Sequence, residues 1–269
     1  MTHTTSPTDG WDASVRIGVV VPHADIGPEA ELQAMAPASV SIHGSRIHFA
    51  AMRAGGEMDN KIPHDPVRSF VEPPHLDQAV ELLAASPLHA LTLGFTSSSY
   101  LLKATGEQEL YQRLQPATRG LPITGTTKAA RAALNALGAH KIAVINPPWF
   151  DDTLSTHGAD YFREFGFQVV HHGPCPLPSH QKAITPDNLS AWIRTTITTH
   201  HPDAVLIAGN GIRAVGTIKP LETELGCHII TANQANLWHT LHLAGATDTA
   251  LTINNYGHLF TTTPKSEDT

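Results

Sequence analysis

The sequence predicts an α/β fold of two pseudo-symmetric, doubly wound lobes, with parallel sheets and an active-site cleft between the lobes. Short β-branched runs alternate with stretches of helical periodicity, which is typical of βαβ units. The pattern of the first half restarts near residue 127, and each half opens with a strand that ends at proline, VVVP and AVINP. The chain has 269 residues, enough for two such lobes.

The first half is predicted to open with the strand RIGVVV at 16–21, which Pro22 ends. A helix follows from Pro28 to about Met35, because its apolar residues recur at helical spacing. The other elements predicted here are strands at 39–49 and 89–95, helices at 75–86 and 104–115, and a short strand or linker at 121–126.

The second half is predicted from the same signals, with Gly138 and Gly166 ending two of its helices. Its helices are expected at 127–139, 151–166, 190–201, 212–226 and 233–245, and its strands at 141–147, 167–173, 203–211 and 227–232. We therefore assign 15–126 plus 230–260 to lobe 1 and 127–229 to lobe 2, with 1–14 as a disordered lead-in and 261–269 as a tail.

Composition excludes several classes of function. The formal net charge is −7 and the 17 Lys and Arg residues are scattered, which argues against nucleic-acid binding. No run of about 18 apolar residues predicts a membrane span. Cys175 and Cys227 are too few for a disulfide framework and show no metal spacing, so a cytoplasmic location is expected. His239 and His242 share a helix face but lack a third ligand, so no metal site is predicted.

Four hydroxyl side chains follow the strand at 89–95, namely Thr96, Ser97, Ser98 and Ser99. Ligands of open parallel sheets bind beyond the carboxyl ends of the strands, and N–H groups at a helix start favour an anion. The cluster therefore predicts a carboxylate or phosphate cradle; the alternative is a simple helix N-cap. A serine nucleophile is not supported, because the G-x-S-x-G pattern and a partner base are missing.

Three other loops supply candidates at the predicted cleft. Asp25 follows the first strand, as a substrate-orienting acceptor or as an N-cap of the next helix. Trp149 would offer an apolar wall and one N–H donor, or would only pack. Asn210 lies between Gly209 and Gly211 at a strand end. The three residues either form a simple turn or place Asn210 and the neighbouring amides against the ligand.

These segments together resemble the aspartate/glutamate racemase superfamily, in its branch of maleate cis-trans isomerase and arylmalonate decarboxylase. The resemblance covers roughly residues 15–246. It is most specific in CHIITANQANLWHTLHLAG at 227–245 and is supported by 16–31, 94–99 and 206–215. It implies no metal or organic cofactor, a small carboxylate substrate between the lobes, an enediolate-like intermediate or thiol addition, and the dimer that is the family habit. Asn233, which opens NQANLW, joins the substrate-binding residues on this basis.

The chain departs from that family at its two cysteines. The resemblance places the first at Phe95 and the second at Gly209, and a slip of one residue would give Gly94 or Asn210. None of these is a cysteine, and Trp149 stands where many relatives have tyrosine. Two-base racemisation and thiol addition would then lack their reactive groups.

The sequence thus favours a lyase whose barrier is charge development on a carboxylate, such as a decarboxylase. The expected catalytic residues are Thr96, Ser97, Asn210 and Trp149, and the expected substrate-binding residues are Asp25, Phe95, Ser98, Ser99, Gly209, Gly211 and Asn233. Two alternatives stay open. One is an isomerase in which Asp25 or a histidine replaces the thiols, and the other is a non-catalytic carboxylate-binding protein.

Overall fold

The computed structural model describes residues 10–266 and is built on two four-stranded parallel sheets. In this part of the chain the strands are β1 (Val15–Pro22), β2 (Val40–Ile47), β3 (Met52–Arg53), β4 (Glu57–Met58), β5 (Ala90–Leu93), β6 (Ile123–Gly125), β7 (Lys141–Asn146), β8 (Gln168–Pro174), β9 (Ala204–Ile207) and β10 (His228–Thr231). The first sheet has the order β2-β1-β5-β6 and the second the order β10-β9-β7-β8.

The two sheets repeat one topology. In each, the first strand along the chain is central, the second lies beside it at one edge, and the third and fourth follow on its other side. The central strands β1, β5, β7 and β9 are almost wholly buried, as expected for parallel strands covered on both faces. The predicted α/β fold of two pseudo-symmetric lobes with parallel sheets is confirmed.

Ten α-helices connect or cover the strands within the described residues. They are α1 (Gly27–Met35), α2 (His64–Ser69), α3 (His75–Ala84), α4 (Ser97–Leu114), α5 (Thr126–Ala136), α6 (Asp152–Glu164), α7 (Pro186–Ile197), α8 (Ile218–Leu225), α9 (Ala232–Leu243) and α10 (Thr247–Ala250).

Helix α9 ties the two lobes together. It starts where β10 of the second sheet ends, at a capping box formed by Thr231 and Gln234. It then packs against α1, β5 and β6 of the first half and against α5, and its residues 232–241 are buried. The chain thus passes from the second sheet to the strands of the first sheet at the start of α9.

Helix α4 differs from its predicted span of 104–115. It begins at Ser97 and is interrupted at Lys103, whose φ of 59° lies outside the helical region. Serine and threonine are weak helix formers, so a run of them indicates a loop when the sequence is considered alone. The serines instead form the buried first turn of this helix.

Two elements of the first half were absent from the prediction. The β3–β4 hairpin pairs Met52 with Met58 across a turn in which Gly55 and Gly56 have positive φ, and the short helix α2 follows it. A glycine pair between two short runs is a recognised hairpin signal. Both elements belong to the segment 49–69, which extends from the first sheet toward the second lobe.

The predicted lead-in and tail lie partly outside the described residues, since 1–9 and 267–269 are not among them. Of the described part, Trp11 accepts a hydrogen bond at its carbonyl oxygen from Arg16, and Thr262 accepts one from the indole of Trp238 at 3.1 Å. Among residues 10–266, no helix combines the length and apolar character that a bilayer span requires.

Candidate active site

A small cavity lies where the carboxyl ends of four central strands meet. The loop after β1 brings Asp25, and the residues after β5 bring Phe95, Thr96 and Ser97. From the second lobe come Trp149 and Phe150 after β7, and Gly209, Asn210 and Gly211 after β9. The cavity volume is about 40 Å³. That is room for two or three water molecules at about 15 Å³ each.

The segment 49–62 covers this cavity with apolar side chains. Met52, Met58 and Ile62 line it from the hairpin side. The cover is held on the second lobe by Lys61, whose Nζ donates to the carbonyl oxygens of Pro148 at 2.8 Å and Phe150 at 2.7 Å. The Ile62 amide also donates to the Trp149 carbonyl at 2.9 Å. A ligand in the cavity would therefore be shielded from bulk water by this segment.

Aromatic side chains form the rest of the apolar wall. Phe95 is 6% exposed and packs edge-on against Phe70, with 4.8 Å between ring centroids. Trp149 is 4% exposed, and its indole N–H makes no hydrogen bond within residues 10–266. The Ser97 hydroxyl, on the same cavity, is also without a partner in the described chain. The wall thus carries two polar hydrogens free to meet a ligand.

Thr96 and Asn210, in contrast, are bound to one another across the cleft. The Thr96 hydroxyl donates to Asn210 Oδ1 at 2.9 Å and accepts from the Gly209 amide at 3.2 Å. The Thr126 hydroxyl also lies 3.0 Å from Asn210 Oδ1. These contacts fix the 209–211 loop relative to the start of α4. Thr96 and Asn210 both line the cavity, but the Thr96 hydroxyl and Asn210 Oδ1 already have hydrogen-bond partners within the protein.

The amide of Asn210 belongs to a directed chain of hydrogen bonds that ends at Glu31. Asn210 Nδ2 donates to Asn233 Oδ1 at 2.9 Å, and Asn233 Nδ2 donates to Glu31 Oε2 at 2.8 Å and to the Asn210 carbonyl at 2.9 Å. The other Glu31 oxygen accepts from the amides of Ala214 and Val215. A carboxylate only accepts, so Glu31 determines which way each asparagine amide points.

Asp25 lies between the two lobes, with one carboxyl oxygen hydrogen-bonded to both lobes and the other without a hydrogen-bond partner among residues 10–266. Its Oδ1 accepts from the Gly27 amide at the start of α1 and from Gln181 Nε2 of the second lobe, both at 2.9 Å. Its side chain is 3% exposed, and burial raises the pKa of this carboxyl against the opposing effect of those hydrogen bonds. The geometry is compatible with both predicted roles, the helix cap and the substrate-orienting acceptor, since Asp25 contacts the start of α1 and also lines the cavity.

Three of the predicted site residues lie away from the cavity wall. Ser98 donates to the carbonyl of Val67 at 2.8 Å, Ser99 is buried in the first turn of α4, and Asn233 lies behind Asn210. Neither cysteine is among the described residues that line the cavity. Burial raises the pKa of Cys175 to about 11, so its thiol is a poor nucleophile at neutral pH.

Sequence reasoning missed Glu31, Gln181 and the cover residues Met52, Met58 and Ile62. The Gly55-Gly56 pair was the available signal for the cover hairpin. Glu31 and Gln181 act across the lobes, over 183 residues to Ala214 and 156 residues to Asp25 respectively, and no local pattern marks such contacts. No cluster of potential metal ligands occurs in residues 10–266.

Replacing Thr96 with valine tests the Thr96–Asn210 contact. The change preserves shape but leaves the buried Gly209 amide without an acceptor, so we expect a loss of about 1–3 kcal/mol in the free energy of unfolding. Urea denaturation measures it. The matched control Thr96→Ser keeps the hydroxyl and is expected to stay near the wild type. Equal stability of the valine variant and the wild type would contradict the contact's role.

Comparison with known proteins gives one family and many structural relatives. The model of the family described as arylmalonate decarboxylase matches residues 17–260. Comparison with curated protein sequences gives no match. A variant of the maleate isomerase Iso from Pseudomonas putida S16, solved with maleate, superposes with a TM-score of 0.78 at 21% identity, covering 91% of this chain and 97% of the other.

Two further solved structures share the fold. A variant of Nocardia farcinica maleate cis-trans isomerase with a covalently bound succinylcysteine intermediate gives a TM-score of 0.77 at 17% identity, with 91% of this chain and 98% of that one covered. An arylmalonate decarboxylase structure gives 0.70 at 20% identity, with 91% and 99% covered. At these identities the structural matches establish the common fold.

Proposed function

Because the chain belongs to the arylmalonate decarboxylase family, we propose that it is a cofactor-independent lyase that removes carbon dioxide from a small malonate-type dicarboxylate. The observation that carries the proposal is the composition of the cavity wall. It combines free N–H and O–H donors with large apolar surfaces, and the described residues that line it include no thiol.

The donors suit the carboxylate that stays with the product. Ser97 and Trp149 present a hydroxyl and an indole N–H without other partners in the described chain, and the amides at the start of α4 and around Gly211 lie at the same wall. When the carbon–carbon bond breaks, its electron pair moves into the retained carboxylate and forms an enediolate. Fixed donors stabilise this developing charge without reorganisation.

The apolar side of the cavity suits the carboxylate that leaves. Phe95, Phe150 and the cover residues Met52, Met58 and Ile62 offer no hydrogen bonds from their side chains. An ionised carboxylate is poorly solvated against such a wall, whereas carbon dioxide is neutral and apolar. The surface thus favours the product of the step over its reactant.

The missing thiols disfavour the other reactions associated with this fold. Addition of a cysteine to a double bond needs a nucleophile in the cavity, and two-base racemisation needs an acid and a base on opposite faces of one carbon. The resemblance places Phe95 and Gly209 at the family's cysteine positions, and both residues lie at the cavity wall. Decarboxylation needs neither group for its bond-breaking step.

The cavity size limits the substrate. A volume of about 40 Å³ is too small for a dicarboxylate unless the cover segment shifts, so we expect small substituents on the malonate. A vinyl substituent would delocalise the developing carbanion and adds little volume. The two free cysteines suit a reducing compartment, and we therefore propose a cytoplasmic location.

A substrate panel tests the proposal. Purified protein is incubated with malonate, methylmalonate, 2-methyl-2-vinylmalonate, phenylmalonate, maleate and aspartate, and released carbon dioxide and products are quantified by NMR. We expect carbon dioxide from the small substituted malonates, with the vinyl compound fastest. Isomerised maleate, or deuterium uptake at an α-carbon without carbon dioxide loss, would instead identify an isomerase. Thermal stabilisation by these acids without turnover would identify a binding protein.

A further inference from the structure

After decarboxylation the α-carbon must receive a proton from a donor in or near the cavity. A cavity covered by the segment 49–62 restricts water, so a side chain in its wall is the natural donor. Among the described residues of that wall, the one carboxyl group is Asp25, and none is Lys, Arg, His, Cys or Tyr. The inference below rests on the proposed function.

The hydrogen bonds of Asp25 fit a protonated carboxyl. Both donors that reach it, the Gly27 amide and Gln181 Nε2, are directed at Oδ1, as they would be at a carbonyl oxygen. Oδ2 has no hydrogen-bond partner in residues 10–266, and a Cβ placed on Gly211 would lie 2.9 Å from it. Oδ2 therefore faces the 209–211 loop at the cavity wall and is free to carry a proton.

Burial favours the neutral form of Asp25, and the charge of Arg46 opposes that effect. The Arg46 guanidinium reaches only the main-chain carbonyl of Asp25, at 3.0 Å, and its charge is paired with Glu29. Glu31, also buried, accepts three N–H donors against the two that Asp25 accepts, and burial raises the pKa of Glu31 as well. On the preceding turn, burial lowers the pKa of His23, so that imidazole adds no compensating charge near neutral pH. A substrate carboxylate in the same cavity would repel an ionised Asp25 further.

We propose that Asp25 is the proton donor of this site. The bond between the α-carbon and one carboxyl carbon breaks, carbon dioxide leaves, and the electron pair enters the enediolate of the remaining carboxylate. The α-carbon then takes the proton from Asp25 Oδ2, which leaves a monocarboxylate and an aspartate anion. Solvent reprotonates that anion, so one proton is consumed for each carbon dioxide released. Gln181 positions the carboxyl by holding Oδ1 from the second lobe.

The variant Asp25→Asn tests the proposal, because asparagine keeps an acceptor for Gly27 and Gln181 but has no acidic proton to transfer. We expect kcat for 2-methyl-2-vinylmalonate to fall about 100-fold, the usual contribution of a general acid. Wild-type activity should be high at low pH and fall as pH rises through the pKa of Asp25, which burial raises above its ordinary value. The asparagine variant should lack this decrease in activity. Titration of the substrate cannot explain the difference, because it is the same in both assays.

Two further readouts separate a proton donor from a residue that only shapes the cavity. Asp25 approaches the α-carbon from one side, so the wild type should give one enantiomer of the product and Asp25→Asn a mixture, as water supplies the proton. Calorimetry in two buffers, repeated at rising pH, should show proton uptake on malonate binding once the pH is high enough to ionise Asp25 in the free wild type, because the substrate carboxylates raise the pKa of Asp25 further. The variant should show no such uptake at any pH. The control Asp248→Asn, at an exposed site on α10, should match the wild type throughout.

The possible failures are distinct. If the wild type releases carbon dioxide and Asp25→Asn retains its rate, pH profile and product enantiomer, Asp25 is not the donor although the proposed function stands. Activity that rises with pH through this range would make Asp25 a base and would equally overturn the proposal. If no malonate yields carbon dioxide, the proposed function fails, and absence of proton uptake on malonate binding at every pH would then overturn the protonated state of Asp25 in the complex as well.

Discussion

Replacing Gly209 with alanine is expected to destabilise the fold by about 3 kcal/mol or more and to slow turnover about 100-fold. Gly209 has a φ of 86°, and an added Cβ would lie 2.2 Å from Pro147 Cγ, at the junction of two cavity loops. The backbone strain of a left-handed residue costs about 1–2 kcal/mol and the overpacking about 1–3 kcal/mol. A displacement of about 1 Å at a reacting centre can cost about 100-fold in rate.

Gly120 provides a matched control for this prediction. Its φ of 82° is nearly the same, but an added Cβ would meet no atom within 4 Å. Gly120→Ala should therefore show the strain cost alone and leave turnover unchanged. Urea denaturation and the carbon dioxide assay measure both variants. Equal losses of stability in the two variants would show that contact with Pro147 does not constrain the 209–211 loop.

Replacing Glu31 with glutamine is the second change expected to have a large effect. A glutamine amide nitrogen cannot accept, so either Asn233 or the amides of Ala214 and Val215 would lose an acceptor. A buried hydrogen bond to a charged group is worth about 1.5–3 kcal/mol, and we expect a loss of about that size. If the Asn233 amide rotates to compensate, the Asn210 amide must rotate as well. Turnover should then fall at least tenfold, which corresponds to about 1.4 kcal/mol in the activation barrier.

The reverse exchange Gln33→Glu on the same helix is the control, because residue 33 is exposed. It should leave stability within about 0.5 kcal/mol of the wild type and turnover unchanged. Urea denaturation and the carbon dioxide assay again give the two quantities. Glu31→Gln with wild-type stability and turnover would show that the carboxylate does not direct the asparagine chain.

The sheets and the strand-end loops could be predicted from the sequence because their signals are local. The β-branched runs from Val15 to Pro22 and from Ala204 to Ile207 mark buried strands, and parallel topology places the following residues at one edge. Asp25, Phe95, Trp149 and Asn210 were therefore identifiable as candidates, and the cavity has all four in its wall. Their roles in chemistry stay predictions.

The contacts that organise the site could not be predicted in the same way. Glu29 and Glu31 are two residues apart on α1 and face different directions, but the sequence does not tell which one is buried. The partners of Glu31, which are Asn233 and the amides of residues 214–215, come from distant parts of the sequence and meet it only in the folded protein. Likewise, Thr96 suggests a ligand contact in the sequence, and its actual partner, Asn210, is 114 residues away in the other lobe.

Decarboxylation without a thiol is the central claim, and one measurement tests it most directly. The double variant Cys175→Ala/Cys227→Ser removes both sulfhydryl groups of the chain. It would be incubated with 2-methyl-2-vinylmalonate in D₂O, and carbon dioxide and the product would be followed by NMR. We predict carbon dioxide release at the wild-type rate, with one deuterium at the α-carbon of the product. Loss of carbon dioxide release in a variant that remains folded would contradict the claim, because a cysteine would then carry the chemistry.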